Sequence, residues 1–322
     1  MPERLKINEG FLNNQNIDEV VGLNISYSNS NYGAANFPSA YALYEPYGIA
    51  FDKFGNLWAA DAGRRAVVMY PPANQYNGNP ATFIIGQPNL NTYTANPDSP
   101  IAQNNFNYPS FIAFDNNNNL WVLDKNNYRI LGFKYPFGSG GVLNASWVIL
   151  QPNFTSSLTG TTSSLASSIV NSFCFDNENN LWVADINNNR VLGFTANNIY
   201  STGGAQASWV IGQPSFTTSA IETLSAQSLY NPNSVVVDKK GNLWVCDSNN
   251  NRVLGYSNPK SINPVANYLI GQPNFTTNSL GTTQNKFNLS GGYSNIIFDN
   301  NNNLWVYDQS NYRILGFASS SL

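Results

Sequence analysis

The side chains able to do chemistry in this 322-residue chain are few, and most of them recur at fixed spacing. There are eighteen Asp and Glu, fifteen Lys and Arg, two Cys and no His. Without histidine, Ser-His-Asp and Cys-His nucleophilic machinery is unavailable, and histidine-ligated zinc or iron is ruled out. Acid–base work by paired carboxylates is what remains. Ten of the acids form one series: Asp52, Asp115, Asp176, Asp238 and Asp299, each followed nine residues later by Asp61, Asp124, Asp185, Asp247 and Asp308. A residue present in every copy of a repeat does not mark a single active centre, and Asp is a turn former. Among the other acids, only Glu45, Asp98 and Glu222 fall in long connections. A hydrolase or lyase would need two of them in one pocket, and nothing in their local sequence brings two together. No catalytic residue, metal ligand or cofactor is therefore assigned, and no enzymatic activity is expected. Calcium, a hard cation taking oxygen ligands, is left open. Cys174 and Cys246 stand at small or apolar strand positions of different repeats, and read as two buried thiols.

The elements that position these residues form a repeat. FDKFGNLWAAD from Phe51, FDNNNNLWVLD from Phe114, FDNENNLWVAD from Phe175, VDKKGNLWVCD from Val237 and FDNNNNLWVYD from Phe298 align without gaps, with steps of 63, 61, 62 and 61 residues between first aspartates. An aromatic follows (Tyr70, Phe133, Phe194, Tyr256, Phe317), and then FIIGQP, WVILQP, WVIGQP and YLIGQP in the first four copies. Short apolar runs bounded by Asn, Gly and Pro clusters are strands. The 54 asparagines suit many tight turns. Four antiparallel strands per copy, five times over, predict an all-β fold: a single five-bladed β-propeller over 1–322. The blades fall near 48–88, 111–152, 173–214, 235–273 and 294–317. The last copy stops before its fourth strand, and Val20-Val21-Gly22-Leu23 resembles the missing piece. Residues 18–24 are thus expected to supply the outer strand of the last blade and close the ring.

GIAFDKFGNLWAAD and its cousins, followed by Asp-x-x-Asn-Asn-Arg-Val-Leu-Gly-Phe, resemble the NHL-repeat family. The resemblance implies a propeller used for protein–protein contacts, for RNA binding or, in a few relatives, for lyase or hydrolase chemistry. The amidating-lyase branch relies on a metal with histidine ligands, which this chain cannot copy. Two departures stand out. The repeat is longer than the usual NHL unit, through the connection between strand four and the next strand one. In blade one, Ala66 stands where Arg129, Arg190, Arg252 and Arg313 stand in the others.

In such a blade, strand one lines the central channel, and the turn after strand two shares a face with the long connections. Variable loops on a rigid scaffold are where binding sits. Five residues before each first Asp come Tyr47, Ser110, Asn171, Asn233 and Ser294, expected to ring the channel mouth as ligand- or partner-binding residues. Tyr93, Phe106, Tyr108, Tyr230 and Phe287 in the long connections could add aromatic surface, though some must cover the strands below. The preferred function is a non-catalytic binding scaffold presenting this face to a protein partner. The alternatives are a glycan-binding, lectin-like propeller with repeated sites, and a carboxylate-dependent hydrolase or lyase. The strand-two tryptophans Trp58, Trp121, Trp182, Trp244 and Trp305, with Trp147 and Trp209 in strand four, read as blade packing rather than sugar platforms. A net charge of −3 and scattered basic residues give no surface for nucleic acid or an anionic membrane. No signal peptide or membrane-spanning run is seen, so a cytoplasmic or virion-associated location is expected.

Overall fold

The computed structural model describes residues 39–75, 79–93, 101–138, 143–290, 292 and 294–322. Blade one comprises β1 (Pro46–Phe51), β2 (Leu57–Asp61), β3 (Ala66–Tyr70) and β4 (Phe83–Ile85). Blade two comprises β5 (Pro109–Phe114), β6 (Leu120–Asp124), β7 (Arg129–Phe133) and β8 (Trp147–Ile149). Blade three has β9 (Val170–Phe175), β10 (Leu181–Asp185), β11 (Arg190–Phe194) and β12 (Trp209–Ile211), with one helical turn, α1 (Ala196–Ile199), between the last two. Blade four has β13 (Pro232–Val237), β14 (Leu243–Asp247), β15 (Arg252–Tyr256) and β16 (Tyr268–Ile270), and blade five has β17 (Asn295–Phe298), β18 (Leu304–Asp308) and β19 (Arg313–Phe317). Each sheet is an antiparallel meander, and the first strands β1, β5, β9, β13 and β17 neighbour one another in chain order. The fold is a five-bladed β-propeller. Blade five shows three strands among the described residues. The segment expected to complete it, residues 18–24, lies outside them.

The repeat aspartates form the turns. In blade two, Asp115 Oδ1 accepts from the backbone N–H of Asn117 and Asn119, each at 2.9 Å, and Oδ2 accepts from Asn119 Nδ2 at 2.8 Å and Trp121 Nε1 at 3.0 Å. The chain turns left-handed one residue before that asparagine. Asn118, Asn179 and Asn302, or Gly55 and Gly241, hold the position with positive φ, which is where Asn and Gly carry the least steric penalty. The second aspartate ends strand two. Asp185 Oδ2 accepts from Arg190 Nε at 2.7 Å and Asn188 Nδ2 at 2.9 Å, and Oδ1 accepts from Ser167 N–H at 2.8 Å. Both members of this ion pair are fully buried, as are those of Asp124–Arg129 and Asp247–Arg252.

Each repeat arginine also ties one blade's loops together. The Arg190 guanidinium donates to the carbonyls of Phe216, Thr162 and Leu165, and that of Arg252 to Phe275, Ser225 and Ser228. In blade one the same duty falls to Arg64, two residues ahead of Ala66, which donates to the carbonyls of Leu90, Ser39 and Ala42. Blade one therefore has a displaced repeat arginine rather than none. Alignment by spacing misses it because a long side chain can reach the same carbonyls from a different Cα.

The core lies between blades, in clusters joining one to two, two to three, three to four and four to five. Trp58, Trp121, Trp182 and Trp244 are fully buried in it. Trp121, Trp182 and Trp244 stack on the first residue of strand four, Trp147, Trp209 and Tyr268, with interplanar angles of 16°, 20° and 21°. The strand-three residue beside each Trp is Gly132, Gly193 or Gly255, where a Cβ would come within about 3 Å of the indole. Blade one carries Met69 there, and Trp58 meets Phe83 edge-on instead, at 65°. On the faces of blades one and five that turn toward each other, Ile49 is 67% exposed, Ile314 66% and Trp305 39% among the described residues, although Ile112, Ile130 and Trp121 at the matching positions of blade two are buried.

Candidate functional site

The five positions expected at the channel mouth converge. Tyr47, Ser110, Asn171, Asn233 and Ser294 all line one cavity of about 170 Å³. Their placement has a local cause. Strand one pairs with strand two regularly up to this point and then slips. In blade two, Pro109 faces Asp124 and Phe111 faces Leu123, leaving Ser110 unpaired. In blade four, Pro232 faces Asp247 and Ser234 faces Cys246, leaving Asn233 unpaired. Blades one and three carry the same irregularity beside Tyr47 and Asn171. A β-bulge re-aims a side chain, and here it turns successive strands' side chains toward the common axis.

The turn after strand two joins this face, as its backbone bonds to the long connection in every blade: Ala62 N–H to Glu45 O at 2.9 Å, Lys125 to Tyr108 at 3.2 Å, Ile186 to Ile169 at 3.2 Å, Asn249 to Tyr230 at 3.1 Å and Ser310 to Asn288 at 3.1 Å. Through that turn Lys125 enters the cavity, a residue the sequence reading missed. The position after the second aspartate reads Ala62, Lys125, Ile186, Ser248 and Gln309, so a charge there in blade two alone was the available signal. Burial lowers the Lys125 pKa, and among the described residues it pairs with no carboxylate.

The lining side chains differ in freedom. Tyr47 is 57% exposed, packs against Tyr108 with ring centroids 5.1 Å apart, and accepts a hydrogen bond from its hydroxyl. Ser294 is buried and spends its hydroxyl on Leu289 O at 2.9 Å. Lys125 Nζ donates to Asn171 Oδ1 at 3.3 Å, and Asn171 Nδ2 donates to Asn233 Oδ1 at 2.8 Å. Asn233 is only 4% exposed, and its Nδ2 has no hydrogen-bond partner among the described residues.

The other candidates lie elsewhere. Phe106 and Phe287 are core residues, packed on Phe133 and Phe317 at 5.9 and 6.1 Å, while Tyr108 reaches the rim. Glu45 and Glu222 are exposed and do not line the cavity, and Asp98 falls outside the described residues. Among the described residues no group of three or more His, Cys, Asp or Glu is gathered as a metal site would need, and no helix is long and apolar enough to cross a membrane. Cys174 and Cys246 are free thiols; Cys246 is buried as expected, whereas Cys174 is only partly buried, packed at the edge of the cluster between blades three and four.

Comparison with known proteins bears on the fold. The model of the NHL repeat matches residues 106–133 and 229–256, the latter part of the connection through strand three in blades two and four. No curated protein matches the sequence. Among solved structures, a streptogramin B lyase aligns at 12% identity and a TM-score of 0.50, over 89% of this chain and 68% of that one. PorZ of Porphyromonas gingivalis, a bacterial surface component of the type-IX secretion system, aligns at 16% identity and 0.53, over 92% of this chain and 34% of its own. An auxiliary nutrient binding protein from Bacteroides ovatus aligns at 10% identity and 0.52, over 84% and 58%. At these identities the likeness is one of fold, and fold does not select a function. The chain is thus a five-bladed β-propeller that carries the NHL repeat in blades two and four.

Proposed function

We propose that this propeller is a non-catalytic binding scaffold that engages a protein partner through the face where the long connections and the axial cavity open. The observation that carries this reading is the cavity itself, lined by residues from all five blades. At about 170 Å³ it is smaller than the roughly 300–1,000 Å³ of pockets that enclose a whole small molecule. It holds about six waters' worth of liquid volume at roughly 30 Å³ each, enough for one inserted side chain. A partner would cover the surrounding loops and send one residue into the hole, the arrangement of an anchor within a rim. The lining offers hydrogen bonds and one ammonium but no base or nucleophile with an acid beside it. The glycan reading lacks its platforms in blades one to four, where the strand-two tryptophans are buried.

The test is site-directed photo-crosslinking in cells that make the protein. A photoreactive phenylalanine at Tyr47 should capture one partner, and the same group at Lys240, in the turn between strands one and two at the opposite end of blade four, should not. The purified partner should then bind the native protein and lose at least tenfold in affinity on Ser110→Trp, which fills the cavity. Capture from Lys240 alone, or binding indifferent to Ser110→Trp, contradicts the proposal.

A further inference from the structure

The cavity's hydrogen-bond chain has a direction. Lysine is a donor only, so Asn171 must turn its carboxamide oxygen to Lys125 Nζ. Its Nδ2 then faces Asn233 and must meet that residue's oxygen, at 2.8 Å. The chain thus ends on Asn233 Nδ2, buried and unpartnered. The groups in the cavity that can only donate are the rest of the ammonium and the Asn233 amide; the hydroxyls of Tyr47, Ser110 and Ser172 can serve either way. An unpaired buried polar group costs about 1–3 kcal/mol, so this arrangement favours an occupant that only accepts. A cation is repelled by Lys125, and a neutral hydroxyl gains no charge-assisted bond from the ammonium. No acid among the described residues neutralises the ammonium, and burial already strains its charged form.

We infer that Lys125 and Asn233 form a carboxylate-binding site, and that the group it receives is an aspartate or glutamate side chain of the protein partner. This rests on the partner-binding reading for the identity of the donor chain, but not for the chemistry of the site. A carboxylate has only acceptors and pairs with an ammonium and an amide at once, as charge-assisted hydrogen bonds require. The cavity's size sets the limit at one such group.

The two parts are tested separately. For the site, the Lys125 13Cε–1Hε resonance, assigned by its loss in Lys125→Met, is followed while sodium propionate is added at constant ionic strength. The expected result is a saturable shift, absent with propionamide, and lost in Asn233→Asp, which still accepts from Asn171 but places a carboxylate of its own beside Lys125. An equal response to propionamide, an unsaturable drift, or the same titration in Asn233→Asp overturns the site. For the donor chain, the partner identified by crosslinking should bind Lys125→Met at least tenfold more weakly. A partner that binds this face with unchanged affinity for Lys125→Met overturns the inference and leaves the scaffold reading standing. Failure to capture any partner removes that reading, while the propionate titration still decides the site.

Discussion

Lys125 Nζ and Asn171 Oδ1 lie 3.3 Å apart, linking the turn after strand two of blade two to the innermost strand of blade three. The link joins two kinds of residue. Asn171 occupies a repeated position on a bulged strand, whereas Lys125 breaks the repeat. Fivefold repetition builds the scaffold, and a departure from it marks one direction around the axis.

The second aspartate of each repeat is structural. Asp185→Ala should destabilise the protein by about 3–5 kcal/mol, because it strands the buried Arg190 charge and releases Asn188 and Ser167 N–H. Urea unfolding measures this. A loss below about 1 kcal/mol would show that the pair contributes little.

Arg64 in blade one should behave as a repeat arginine. Arg64→Ala is expected to cost about as much as Arg252→Ala, on the order of 3 kcal/mol for breaking buried, hydrogen-bonded charge. Adding Ala66→Arg should recover at least half of the loss, since the new guanidinium starts from the Cα used in the other blades. A double variant no more stable than Arg64→Ala would show that the two positions are not interchangeable.

Much of this was legible in the sequence. Asp and Trp six residues apart, with Asn or Gly between, predicted the turn that Asp115 and Trp121 form, because those contacts are local. The channel-mouth positions were found by counting back from the same Asp. Lys125 and Arg64 were missed for one reason: each acts through a long side chain whose target is distant in sequence. Of the five connection aromatics, some of which had to cover the strands below, Phe106 and Phe287 are the ones that do, lying over Gly86 and Gly271, where a Cβ would approach the ring to 2.5 and 2.3 Å. Which side of a loop faces inward depends on the blade beneath it.

Blade five should tolerate change better than blade three. Trp182→Ala removes a fully buried indole and should cost about 3–5 kcal/mol, whereas Trp305 is 39% exposed and its loss should cost less than half as much. Thermal unfolding of the two variants compares them. Equal losses would mean that the seam face of blade five is covered in solution.

The two thiols should be inert in the folded protein. Burial pushes the Cys246 thiol up to about 12 and raises Cys174 as well. At pH 8 roughly one Cys246 in ten thousand would then be thiolate, the reactive form. Ellman's reagent should detect no thiol in native protein and two in guanidinium. A thiol that reacts within minutes under native conditions would contradict the packing around it.

The most direct test of the binding account is the hydrogen-exchange footprint of the propeller with its crosslinked partner. The account expects added protection in the connections and turns around the cavity, 101–110, 125–128, 163–172 and 225–234, and none in the turns at the opposite end, 116–119, 177–180 and 239–242. Protection confined to those opposite turns, or to the outer strands, would contradict it.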